Sequence, residues 1–216
     1  GNPARFSRAV PRVEIDMEKV MELAVRELRA NGHKRLALAM PYPFRTMDVR
    51  RLAFCSLMEE VYGNRIKDYY IGIHREELPE DPRILAFQED EDRESGMYLP
   101  EEDFFGKGEL AAQLFAERKI DATAVVAFND EFALGMCKRF HALGIQVPRD
   151  ISLIGIDGSS ARKYRDPCLT SVGLFPEKQG ARCVDTLLDM LEGKKVKYVS
   201  GSPIKLIKGD SVRKLE

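Results

Sequence analysis

Val125-Val-Ala-Phe-Asn-Asp-Glu-Phe-Ala-Leu-Gly135 holds the change of period that sets the fold class. Ala122 to Phe128 is a short apolar run, as a strand buried on both faces requires. Asn129-Asp130 follows at once, and Glu131 to Leu143 reads as a helix closed by Gly144. The next apolar run, Ile151 to Ile156, reads as a second strand and delivers Asp157-Gly158-Ser159-Ser160 at its end. Strand, helix, strand in such close succession is a βαβ unit, and its crossover makes the two strands parallel.

The same alternation extends in both directions. Toward the N-terminus, Met17, Val20, Met21, Ala24, Val25 and Leu28 form a helical stripe, with Asp16 at the N-cap and Asn31-Gly32 at the stop. Arg35 to Met40 reads as a buried strand broken by Pro41 and Pro43. Met47 to Tyr62 reads as a helix with Val49, Leu52, Ala53, Leu57 and Val61 inward, and Tyr69 to Ile73 as a strand. Glu109 to Lys119 is a further helix. Toward the C-terminus, Glu177 to Leu191 reads as a helix with Val184, Leu187, Leu188 and Leu191 inward, and Ser202 to Lys208 as a final strand. The fold class is therefore α/β, a mainly parallel, doubly wound sheet. Residues 76–106 interrupt this order. Twelve acidic residues there face two basic ones, Arg83 and Arg93, which marks a solvated insertion, with Arg83 to Phe87 as a short strand inside it.

Composition narrows the function. The 216 residues carry 34 Lys+Arg against 35 Asp+Glu, a net charge of −1, so the basic excess of an autonomous nucleic-acid binder is missing. No apolar run approaches the ~20 residues of a membrane span. Cys55, Cys137, Cys168 and Cys183 show no CxxC spacing and no metal-ligand pattern with His33, His74 or His141, which suits free thiols in a reducing compartment. His33, between a helix stop and a strand, reads as structural. The start Gly1-Asn2-Pro3 has no Met and no signal-peptide pattern, as expected of a trimmed piece of a longer protein. No phosphate loop, dinucleotide fingerprint or nucleophile elbow is present, so no cofactor is called for.

Ligands of open α/β sheets bind outside the carboxyl ends of the strands. That edge receives Asn129 and Asp130 from one strand and Asp157 from the next. Arg50 and Arg51 ride on the helix after Met40. A carboxylate, an amide and a guanidinium together suit a hydroxyl-rich ligand. Each residue also has a plainer reading: Asp130 as a helix N-cap, Asn129 as a turn residue, Asp157 as an Asx-turn, and Arg51 as a solvated charge.

The stretch 125–135, continued by His141-Ala-Leu-Gly-Ile-Gln-Val-Pro-Arg-Asp-Ile-Ser-Leu-Ile-Gly-Ile-Asp157, resembles the effector domain of the lactose-repressor/galactose-repressor (LacI/GalR) family. Leu169-Thr-Ser-Val172 resembles its crossover, and Asn31-Gly-His-Lys-Arg-Leu-Ala-Leu38 its GH-(K/R)-(R/K)-I-A motif. The resemblance places Arg51, Asn129 and Asp157 at the family's effector-binding arginine, asparagine and aspartate. Gly158 and Leu174 stand where the family often has a second acidic residue and a glutamine.

The resemblance implies a periplasmic-binding-protein-like lobe with a partial second lobe. Residues 1–16 are then a remnant of the N-terminal lobe and crossover, and 17–168 the C-terminal lobe. Residues 169–195 are the crossover and a helix of the other lobe, and 196–216 a return strand and tail. An incomplete lobe leaves the apolar face of helix 177–191 uncovered. The function implied is sensing of a small-molecule effector, a sugar or derivative, for a cytoplasmic transcriptional regulator. That regulator touches DNA only through a domain absent from this chain. It acts as a homodimer, with an interface near Tyr164 and the helix containing Phe140. A solute-binding protein of the same fold is the alternative, and a doubly wound enzyme is the third reading.

Overall fold

A computed structural model describes residues 10–43, 48–74, 77, 103–164 and 166–215. Most of the acidic insertion, including the strand expected at 83–87, lies outside these residues. In chain order the strands are β1 (Arg12–Glu14), β2 (Leu36–Met40), β3 (Tyr70–Gly72), β4 (Ala124–Ala127), β5 (Ser152–Asp157), β6 (Thr170–Gly173), β7 (Val199–Gly201) and β8 (Lys205–Ile207). The α-helices are α1 (Met17–Ala30), α2 (Val49–Tyr62), α3 (Phe104–Glu117), α4 (Asp130–Ala142) and α5 (Pro176–Leu191).

Six strands form one sheet in the order β3-β2-β4-β5-β6-β8, and all neighbours are parallel except β6 and β8. The chain runs from β2 outward to β3 and then returns to the other side of β2, so the direction of winding reverses between β2 and β4. Helices α1 and α2 pack together, α1 lying on β4, β5 and β6, while α3 and α4 pair with each other, α4 lying on β4 and β5. Every residue of β2 and β4 is buried, which accounts for apolar runs without alternation. β1 and β7 pair separately as a small parallel sheet.

Local chemistry sets the helix ends. Asp16 and Asp48 cap α1 and α2 by accepting from the backbone N–H of Lys19 and Arg51. Asp103 caps α3, which therefore begins five residues earlier than the spacing of its apolar stripe suggests. On α3 and α4, Gly108 and Gly135 let the two backbones touch: a Cβ on Gly135 would stand 2.0 Å from the Phe105 carbonyl oxygen.

Several expectations are corrected. The inward face of α2 is Arg51, Ala53, Phe54, Met58 and Tyr62, whereas Val49, Leu52 and Val61 are exposed. The larger aromatic and thioether side chains win the core. Tyr62 locks the helix by donating to the Leu36 carbonyl at 2.7 Å, and its ring stacks on Tyr69. The apolar stripe of α5 does not point inward as its periodicity suggests but stands uncovered, as expected of a helix whose lobe is incomplete: Val184, Leu187, Leu188 and Leu191 are each more than half exposed, and α5 has no buried residue. Gln179 anchors α5 to β1 through the Val13 carbonyl at 3.0 Å. Phe140 is not a surface aromatic. It is fully buried, edge-on to Phe115, while Tyr164 is 81% exposed.

His33 is structural, as its position suggests. Its fully buried ring bridges the Thr123 hydroxyl and the Arg213 carbonyl, both at 3.0 Å. The four cysteines are free thiols.

Candidate ligand site at the β4–β5 edge

The carboxyl ends of β2, β4 and β5 meet at the point where the winding reverses, which is where open α/β sheets bind ligands. β5 closes on Asp157, whose backbone has φ 118°, a region that side-chain-bearing residues rarely occupy. The next residue is Gly158 at φ 73°, and a Cβ there would lie 2.7 Å from the Gly173 backbone. The chain thus turns sharply against β6, and the turn holds Asp157 at the rim. Its side-chain carboxyl accepts no hydrogen bond among the described residues. Asp157 is exposed at the rim as a residue, yet the surrounding protein strips water from its carboxyl. That desolvation, reinforced by the charges of Asp130 and Glu131, pushes its pKa up to about 7, while Arg50 pulls the other way.

The N-cap expected at Asp130 is made instead by its neighbour Asn129. Asn129 is the N-cap of α4, its Oδ1 accepting from Phe132 N–H at 2.8 Å. That leaves its Nδ2 without a partner among the described residues. Asp130 lies one position further on, is 1% exposed, and clamps three segments. It accepts from the Ser171 hydroxyl at 2.5 Å and from Ser159 N–H at 2.6 Å, while Ser171 Oγ in turn accepts from Gly158 N–H at 3.0 Å. Burial raises the Asp130 pKa, and these donors together with Arg162 oppose that shift. The clamp ties the N-terminus of α4 to β6 and to the turn carrying Asp157. It is second in line behind the rim, and only the tertiary contacts reveal it.

The two arginines also divide differently from the sequence expectation. Arg51 sits on the core side of α2, 7% exposed, with its Nη1 directed at Cys55 Sγ at 3.8 Å. Arg50 lies with its guanidinium 4.4 Å over the Phe128 ring, and its charge acts on Asp157. Phe128 is flanked by Tyr42, edge-on at 5.9 Å, and by Phe104 at 5.2 Å. Residues 50 and 51 are about 100° apart on a helix, so the register of the buried stripe 51, 54, 58 and 62 was the signal that separates them. The edge therefore combines an aromatic wall with a carboxylate, an amide N–H₂ and a guanidinium. Such a mix orients a small polar ligand while covering its apolar faces.

Among the described residues there is no group of three His, Cys, Asp or Glu able to hold a metal, and no helix long and apolar enough to cross a membrane.

A parallel sheet with open polar groups at its winding reversal defines an α/β domain of the binding-protein class. The chain belongs to the periplasmic binding protein-like domain family, which it matches over residues 25–212. It is 31% identical over 183 residues to the HTH-type transcriptional regulator MalR of Streptomyces coelicolor, covering 85% of this chain and 46% of that protein. It is 34% identical over 107 residues to the HTH-type transcriptional repressor PurR of Vibrio vulnificus, covering 49% of this chain and 32% of that protein. The chain spans about half the length of MalR or less of such relatives. Among solved structures, a LacI family transcriptional regulator from Enterococcus faecalis with bound ribose superposes with a TM-score of 0.69 at 20% identity, covering 98% of this chain and 67% of that one. These relatives bear out the resemblance to LacI-type effector domains, and they are transcriptional regulators rather than transport proteins or enzymes.

Proposed function

We propose that this chain is the effector-sensing part of a DNA-binding transcriptional regulator, taking a sugar or sugar derivative at the β4–β5 edge. Asp157 accepts from ligand hydroxyls, Asn129 offers its unused Nδ2, and Arg51 contributes from α2. The observation that carries the reading is Asp157: a carboxyl group at a costly backbone angle, unpartnered among the described residues, at the winding reversal of the sheet. Residues 17–168 form most of one lobe, and α5 with the β1–β7 sheet belongs to a second, partial lobe. That assignment explains the exposed apolar stripe of α5 as a surface covered within a longer chain. DNA is contacted through a domain outside these residues, since a net charge of −1 offers no surplus for phosphate neutralisation. The regulator works in the cytoplasm as a homodimer, with Tyr164 at the interface and no catalytic step.

Calorimetric titration of the full-length protein with neutral mono- and disaccharides tests the reading. Saturable binding that alters affinity for operator DNA is the expected result. Full-length protein that binds operator DNA with the same affinity whatever sugar is present would refute it.

A further inference from the structure

Asp157 and Gly158 both have positive φ, and a backbone so placed persists only where its surroundings hold it. Three consecutive residues of this turn are tied down through their backbones. The Asp157 carbonyl accepts from Leu174 N–H at 3.1 Å. Gly158 N–H donates to Ser171 Oγ at 3.0 Å, and Ser159 N–H donates to Asp130 Oδ2 at 2.6 Å. The last two ties converge on one carboxylate, because the Ser171 hydroxyl donates to Asp130 Oδ1 at 2.5 Å. With its only proton committed to Asp130, Ser171 Oγ turns a lone pair to Gly158. β5 is left bare to seat this carboxylate: a Cβ on Gly155 would lie 2.3 Å from Asp130 Oδ1. Asp130 and Ser171 are both buried, so neither presents a surface to a ligand at the rim.

We infer that Asp130 is a positioning residue: through Ser171 and the 157–159 turn it fixes the Asp157 carboxyl in one orientation, and with it the ligand affinity of the edge. The inference rests on the reading of this edge as an effector site, and it adds a residue that acts without touching the ligand. Asp130 also opens α4 directly after Asn129, so the Asn129 amide and the Asp157 carboxyl are both referred to one fixed point. Such preorganisation raises affinity, because a binding group already held in place has little freedom left to lose. A clamp that served stability alone would behave differently. Its loss would lower the melting temperature and leave the affinity of the folded protein unchanged.

Ser171→Ala cuts the line from Asp130 to Gly158 while leaving both carboxylates in place. Full-length wild type, Ser171→Ala, Asp157→Ala and the double variant are titrated calorimetrically with D-glucose, D-ribose, D-galactose, maltose and sucrose. Ser171→Ala is expected to weaken whichever sugar binds by about 10-fold, the lower end of what removing a group that orients a ligating side chain costs at metal sites. In the Asp157→Ala background the same change is expected to cost less than about 2-fold, because the group it orients is gone. Ser171→Thr, which keeps the hydroxyl, recovers most of the loss. Asp130→Asn keeps the shape but offers one acceptor to two donors, and it supplies a second variant with the same expected pattern. A further arm needs no ligand. The Asp157 carboxyl, followed by NMR, is expected to titrate lower in Ser171→Ala than in wild type, because a released carboxyl regains water. Unchanged affinity in Ser171→Ala, or an equal loss with and without the Asp157 carboxyl, overturns the inference and leaves the effector site standing. If wild type binds none of these sugars, the sugar reading fails and the titration decides the inference alone. A lowered Asp157 titration then upholds the positioning role, and an unmoved one overturns it.

Discussion

Replacing Asp157 by glycine and, separately, by alanine separates what its backbone costs from what its carboxyl does. A non-glycine residue held at positive φ carries on the order of 1–3 kcal/mol of strain, and Asp157 has φ 118°. Glycine relieves that strain but adds unfolded-state freedom worth about 0.4–1 kcal/mol. Alanine keeps the strain. Asp157→Gly should therefore be more stable than Asp157→Ala by about 1 kcal/mol, or ~2–4 °C in melting temperature for a chain of this size.

The carboxyl adds a pH signature. Its folded pKa is about 7 against 3.8 for the ordinary group. Between those values the folded protein retains a proton that the unfolded chain has released, so wild-type stability falls as pH rises across that window. Both variants lose this slope and gain on wild type up to pH 7, with no further gain above it. Ligand affinity moves the other way. Once a ligand covers this edge and hydrogen-bonds to the carboxylate, loss of that charged partner costs roughly 2–5 kcal/mol, which is about 30-fold or more at about 1.4 kcal/mol per tenfold. Scanning calorimetry across pH, with sugar titrations on the same samples, reads all three effects. Alanine as stable as glycine refutes the strained backbone, and unchanged affinity in both variants refutes the binding role.

The close crossing of α3 and α4 predicts that Gly135→Ala destabilises by about 1–3 kcal/mol, since the added methyl meets backbone. Gly180→Ala on α5, where nothing lies within 4 Å, should be neutral or stabilising by up to ~1 kcal/mol. Equal melting shifts for the two variants would contradict this packing. His33 is held below its usual pKa of 6.5, mainly by burial. It is neutral in the folded state, so stability should drop as pH falls below 6.5, where the unfolded chain takes up the proton first. His33→Gln should show a flatter melting curve against pH between 7.5 and 5, and a loss of about 1–3 kcal/mol at pH 7.5 from groups left unpaired. Parallel pH slopes for variant and wild type would show that His33 does not titrate on unfolding.

Much of this molecule is determined locally, and so the sequence alone determined it. Apolar runs without alternation mark β2, β4 and β5 because both faces of a parallel sheet are covered. Asp16 caps α1 through a bond spanning three residues, which the sequence shows directly. Asn129 and Asp157 reach the carboxyl edge of the sheet because Asp157 ends β5 and Asn129 lies two residues beyond β4.

Whatever depends on a distant partner was settled only by the tertiary structure. Nothing within residues 49–62 says that Tyr62 will bond to Leu36, yet that bond accompanies the register that buries Arg51 and turns Arg50 toward Phe128. Asn129 and Asp130 are both good N-caps, and the choice between them follows from Ser171, 41 residues away, which claims Asp130. The apolar stripe of α5 has the periodicity of a buried helix, but periodicity records only that a face is apolar. Whether the face is covered depends on what packs against it, and among the described residues α5 meets the small β1–β7 sheet, through Gln179 to Val13 and Arg182 to Gly201, while its apolar stripe stays exposed.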